Sequence, residues 1–153
     1  NTIISRCQII RFRSFSFKKL DSLLKDNLDL SKFNNTKLEI QDLIHSANGS
    51  PGKLFKNIEV WNELSNEVIN KLDYPIKNSL EILEVSKLIS EQLEIDQQIC
   101  LIDLIQIIWW RTTKNIELIK KLENLKFHLR KKIQSRLVWE ITLLKISMEM
   151  YKI

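Results

Sequence analysis

Few residues of this 153-residue chain have types and spacing suited to chemistry, and most of them stand alone. Cys7 and Cys100 lie 93 positions apart, and neither has a Cys or His neighbour at ligand spacing. That pattern fits neither a disulfide framework nor a zinc cluster, so a reduced, intracellular protein with no metal site is expected. His45 and His128 lack a second histidine at ligand spacing, and each reads as a surface or helix-packing residue. Gly49-Ser50-Pro51-Gly52 is glycine-rich, but it follows a helical pattern and lacks the Lys-Ser/Thr pair of a phosphate loop. Trp109-Trp110 could stack on bases, yet the surrounding run is so apolar that core packing is the expected use. There remains Arg6, set between Ser5 and Cys7 in an otherwise apolar stretch.

Charge is distributed in blocks. Residues 1–20 carry Arg6, Arg11, Arg13, Lys18 and Lys19 with no acid. Residues 21–110 hold eight basic and 15 acidic groups, whereas residues 111–136 hold nine basic groups against Glu117 and Glu123. The formal charge of +5 thus reflects local patches, not a uniformly basic nucleic-acid-coating protein. The basic segment 111–136 could meet phosphates, but the solvated outer face of a helix is the plainer expectation.

The elements that must position these residues are helices. Two Gly and two Pro in the whole chain argue against a turn-rich β fold, and 44% hydrophobic residues can build a core. Residues 1–12 open abruptly on a strand-like run with Ile3-Ile4 and Ile9-Ile10, which cannot form a sheet alone. They read as the broken end of a larger domain, with no signal peptide, and the chain as a fragment. Ser16 can cap a helix with Leu20, Leu23, Leu24 and Leu28 on its apolar face. Thr36-Lys37-Leu38-Glu39 has the capping-box pattern, ahead of a face made by Ile40, Leu43, Ile44 and Ala47. Asn48-Gly49 ends that helix, and Ser50-Pro51 starts another as N-cap and first helical residue.

Longer helices are expected from Val60 onward: 60–72, then from Pro75 to about Leu93, and 96–113. The segment 99–110 is apolar apart from Asp103 and Gln106; it is too short for a bilayer and reads as a buried central helix. Leu118, Leu122, Leu125, Leu129 and Ile133 form the stripe of a further helix, with Lys120, Lys121, Lys131 and Lys132 off it. The last helix, after Ser135, shows Leu137, Ile141, Leu144, Met148 and Tyr151 at four- and three-residue steps. The fold class is all-α: three short helices over 14–57, then five antiparallel helices over 58–153 forming a bundle.

Three segments carry a family resemblance. Thr2 to Gln8 resembles the Ser-Arg-Cys motif that follows the last core strand in AAA+ ATPase domains of DNA clamp-loader subunits. Ala47 to Leu54 looks like the Gly-Ser-Pro-Gly segment of the bacterial delta-prime type, and Ser135 to Leu144 loosely resembles the closing collar helix. The resemblance implies that residues 1–13 end an AAA+ core, 14–57 form a three-helix lid, and 58–153 form a helical collar. It assigns Arg6 the role of an arginine finger acting on ATP and Mg held by the neighbouring subunit, with Ser5 and Cys7 shaping its turn. ATP-hydrolysing subunits carry a phosphate-sensing Arg in the lid helix where this chain has Pro51, so a non-hydrolysing subunit with no cofactor of its own is implied. The implied partners are the tau/gamma ATPase subunits and the delta subunit through the collar. Through the whole complex they extend to the sliding clamp and primer–template DNA of a cytoplasmic bacterial replisome, part of DNA polymerase III, with no membrane. Two other readings stay open at this point: a fragment of an ATP-hydrolysing AAA+ subunit, or a plain helical interaction module.

Overall fold

The computed structural model describes residues 13–27, 39–131 and 133–151. Helix α1 spans Phe17–Asn27, α2 Ile40–Ser46, α3 Pro51–Glu63, α4 Asn66–Leu72, α5 Ser79–Gln92, α6 Ile95–Thr113, α7 Ile116–Arg130 and α8 Ser135–Tyr151. The described residues are all-helical and contain no strand. The expected strand-like run and residues 28–38, including Leu28 and Thr36-Lys37-Leu38, lie outside the described residues.

Local chemistry sets the ends of these helices, and it moves several expected boundaries. The capping box expected at Thr36–Glu39 sits three residues later: Glu39 is extended, and its backbone N–H donates to Asp42 Oδ2 at 2.9 Å. An acid at the third helical position serves the same reciprocal purpose as the expected Glu39. Helix α3 begins as expected, with the Ser50 hydroxyl accepting from Lys53 N and Pro51 in the first turn. It then runs on through Val60, so the helix expected over 60–72 is divided between α3 and α4. Ser65 makes the division: its hydroxyl accepts from Val68 N and starts α4. The boundary expected after residue 57 therefore falls within α3, where Asn57 and Ile58 are both buried.

Pro75 does not start the next helix. Asn78 caps α5 by accepting from Leu80 N at 2.9 Å, and residues 75–78 form a non-helical strap. The last helix holds this strap in place. Tyr151 donates its hydroxyl to Pro75 O at 2.8 Å, and Ser147 donates to Lys77 O at 3.0 Å. At the other end of α6, Lys114 takes the left-handed conformation (φ 51°), and Asn115 caps α7 by accepting from Glu117 N.

One buried cluster runs from Leu20 and Leu24 of α1 to Leu143 and Ile146 of α8. Helix α6 is its centre: Leu101, Ile102, Leu104, Ile105, Ile108 and Trp109 are all fully buried. It packs against α2, α3 and α7, while α8 packs against α5 and α7. Two indoles carry polar bonds into this interior. Trp109 Nε1 donates to Leu72 O at 2.7 Å, and Trp139 Nε1 donates to Gln98 Oε1 at 2.9 Å. Gln98 in turn donates to Leu93 O at 2.8 Å, so its buried amide is satisfied on both sides.

Candidate functional site

Ser5, Arg6 and Cys7 lie outside the described residues. Gly49, Ser50, Pro51 and Gly52 form the corner between α2 and α3. Gly49 has φ +80°, and a Cβ there would stand 2.5 Å from Ser14 Cβ, so glycine is required on two counts. Its carbonyl accepts from Phe15 N at 2.8 Å, tying the approach to α1 against this corner. A Cβ on Gly52 would meet nothing within 4 Å, so sterics place no demand for glycine there. Pro51 is half-buried and offers no donor.

The isolated candidates separate clearly. His45 packs its ring against Phe17, with centroids 5.3 Å apart. His128 places Nδ1 2.7 Å from Asn124 O, and since a carbonyl only accepts, the proton sits on Nδ1. Cys100 is a buried free thiol, and burial pushes its pKa up. Among the described residues no group of three His, Cys, Asp or Glu converges as a metal site. The tryptophan pair splits: Trp109 is fully buried, but Trp110 is 42% exposed, with the Lys114 ammonium 5.6 Å from its ring centroid. Core packing therefore describes only the first of the two.

Carboxylates from elsewhere in the chain answer much of the charge in the basic segment. Arg111 reaches Glu39 (3.0 Å) and Asp42 (2.8 Å) on the α2 side, Lys121 pairs with Glu149, and Arg136 with Glu140 (2.7 Å). Lys126 is the exception to a solvated face, because it is 6% exposed. Its ammonium lies 2.7 Å from Asp103 and 2.6 Å from Glu123, while Lys53 of α3 approaches the other oxygen of Asp103 at 2.6 Å. Gln106 adds a donor to Glu123 at 2.9 Å. Burial alone would raise the Asp103 carboxyl, but hydrogen bonds and charge from Lys126 and Lys53 outweigh it and hold the pKa below its ordinary value. Glu123 is shifted down in the same way, with burial opposed by Lys126 and Gln106. This network joins α3, α6 and α7.

Its acid response follows from those directions. A carboxyl with a depressed folded pKa adds stability that is present above the unfolded value of about 4 and is lost as pH falls through the folded value. Thermal melting should therefore drop as pH falls below about 4, and Asp103→Asn should flatten that drop. At pH 7 the same substitution weakens one of the two carboxylate bonds of Lys126, with Glu123 remaining, and should cost about 1.5–3 kcal/mol. Melting curves of both proteins across pH 3–7 check both statements; parallel curves would remove Asp103 from the acid response.

Helix α8 turns a different face inward from the one its periodicity suggests. Of the expected stripe, Leu137 is 45% exposed, Ile141 43% and Met148 58%, while Leu144 and Tyr151 are only partly buried. The buried face is Val138, Trp139, Leu143, Ile146 and Ser147. Ile133, expected on the α7 stripe, lies beyond the end of α7 and is 40% exposed. Of these, Ile133, Leu137 and Ile141 line a groove of about 470 Å³ between α7 and α8. A second apolar hollow, about 580 Å³, lies on the other side of α7 and is lined by Ile107, Trp110, Ile116 and Ile119.

Among the described residues no helix is long and apolar enough to cross a membrane. The model of a protein family described as the cyanobacterial DNA polymerase III delta prime, C-terminal domain, matches residues 19–146. Comparison with curated proteins and with solved structures gives no match.

Proposed function

This chain belongs to the family of cyanobacterial DNA polymerase III delta-prime C-terminal domains, and on that premise we propose that it supplies the lid and collar of a clamp-loader subunit that does not hydrolyse ATP. Membership carries a clamp-loader role in DNA polymerase III and association with other clamp-loader subunits. In the proposed reading the chain joins a pentameric ring through its collar helices. Arg6 reaches across a subunit boundary to the ATP and Mg of a neighbour, where a planar guanidinium stabilises charge building on the γ-phosphate. The partners are the tau/gamma ATPase subunits and the delta subunit, and the complex as a whole engages the sliding clamp and primer–template DNA in the bacterial cytoplasm.

The observation that carries the association reading is the outward apolar face of α8 and of the α6–α7 corner, on a chain whose core is already filled by other residues. Pro51 supports the absence of hydrolysis, because residue 51 itself carries neither a cation nor a side-chain donor, and Lys53 in the same turn is engaged with Asp103. A fragment of an ATP-hydrolysing subunit would be expected to hold a cation there. The direct experiment is sedimentation of this chain with the purified ATPase and delta subunits of the same organism. A complex that sediments faster than any component is expected, and independent sedimentation at micromolar concentrations would count against the reading.

A further inference from the structure

We propose that the groove between α7 and α8 receives an amphipathic helix from a neighbouring clamp-loader subunit, with leucine-like residues along one face and carboxylates beside them. The proposal rests on the association reading above and specifies its chemistry. Helices α7 and α8 are joined by a short connection and pack together as a hairpin. One wall is the α8 row Leu137, Ile141 and Lys145, spaced four residues apart; the other is the α7 row Lys121, Asn124 and His128. Each row covers about two turns, or roughly 12 Å, which matches a partner helix of about eight residues.

Two features select the occupant. The α8 wall is apolar over most of its length: Leu137 and Ile141 are nearly half exposed although they belong to a well-formed helix. A helix laid into a groove buries such residues at positions three and four apart. The second feature is charge. Two lysines, Lys121 and Lys145, line the groove, and no carboxylate does. Lys121 is paired with Glu149, but Lys145 has no carboxylate partner among the described residues. A cation at the rim of an apolar groove favours acidic residues flanking the partner's apolar stripe, and it discriminates against a basic helix more than it adds affinity.

The test uses the full chain, its purified ATPase and delta subunits, and three variants, each checked for an unchanged helical spectrum and melting temperature. Ile141→Asp places a charge on the α8 wall of the groove and should weaken the complex at least tenfold. Lys145→Glu should weaken it several-fold, and the wild-type complex should lose more affinity between 0.1 and 0.5 M salt than a Lys145→Ala complex does. Phe55→Asp, an equally drastic change at an exposed site on α3, should leave association unchanged. If the wild-type chain associates and Ile141→Asp and Lys145→Glu associate equally well, the groove is not the docking site, while the association reading stands. If the wild-type chain associates with none of the subunits, both fail. If the chain instead pairs with itself at micromolar concentration and Ile141→Asp abolishes the pairing, a second copy fills the groove and the assignment to a neighbouring subunit is overturned.

Discussion

Trp109→Ala should lower the unfolding free energy of this chain by about 3–5 kcal/mol, a melting-temperature loss of about 10 °C or more for a domain of this size. Two effects combine at this site. The indole is fully buried at the centre of the cluster, so its removal leaves a cavity that rigid neighbours fill only in part. It also donates to the carbonyl of Leu72, the last residue of α4, which has no onward helical partner. Truncation leaves that carbonyl buried and unpaired. Trp109→Phe keeps most of the volume and should cost about 1–2 kcal/mol, chiefly the lost hydrogen bond. Trp110→Ala, one residue along and 42% exposed, should cost well under 1 kcal/mol. Urea denaturation of the three variants measures the order directly, and equal losses at positions 109 and 110 would contradict the placement of the two rings.

Arg6→Ala has the largest functional effect expected under the proposed reading. Fingers of this kind contribute on the order of 10³ or more to phosphoryl transfer, and here the loss should fall on the single ATP site of the neighbouring subunit. Total hydrolysis by the reconstituted ring should drop only in part, since other sites draw their arginines from other chains. Clamp loading should fall more steeply if every site must be engaged. Arg6→Lys should restore little, because an ammonium cannot reproduce the planar fork of donors. The assay is DNA- and clamp-stimulated hydrolysis by rings carrying full-length subunit, with assembly verified by sedimentation. Unchanged rates with Arg6→Ala would make Arg6 an ordinary surface cation.

How much of the structure the sequence discloses depends on contrast within each helix. In α7, lysines separate the apolar positions, and Leu118, Leu122, Leu125 and Leu129 are buried as the stripe predicts. In α8 ten of the seventeen residues are apolar and several stand side by side, so two stripes satisfy the same periodicity, and spacing alone cannot choose between them. The discriminating signal is Trp139, a large side chain whose N–H needs a buried acceptor and finds it in Gln98. Lys126 departs from its run of lysines for a related reason. Lysines in a basic run suggest solvent, yet Lys126 shares the face of Leu122 and Leu129 and must meet an acid. Asp103, the acid within the apolar run 99–110 of α6, is the complementary signal. The Ser50 cap is legible because Pro51 marks the first turn behind it, whereas Ser65 divides a run whose apolar spacing suggests one helix, and the starts near residues 36–39 and 73–78 shift where several polar residues compete.

The bond from Phe15 N to the Gly49 carbonyl sets the length of a tether. It fixes a point on the chain just nine residues beyond Arg6, against a corner where Gly49 leaves no room for a side chain. Nine residues span at most about 30 Å when fully extended. Whatever fold residues 1–12 adopt in the assembled ring, the guanidinium can therefore sweep only a sphere of about that radius, plus its own side-chain length, around the α2–α3 corner. Under the proposed finger role of Arg6, the distance from that corner to a neighbour's nucleotide becomes a geometric condition on the ring. Inserting flexible residues between Arg13 and Phe15 would relax the condition, and shortening the segment would tighten it, with no change to the chemistry of the arginine.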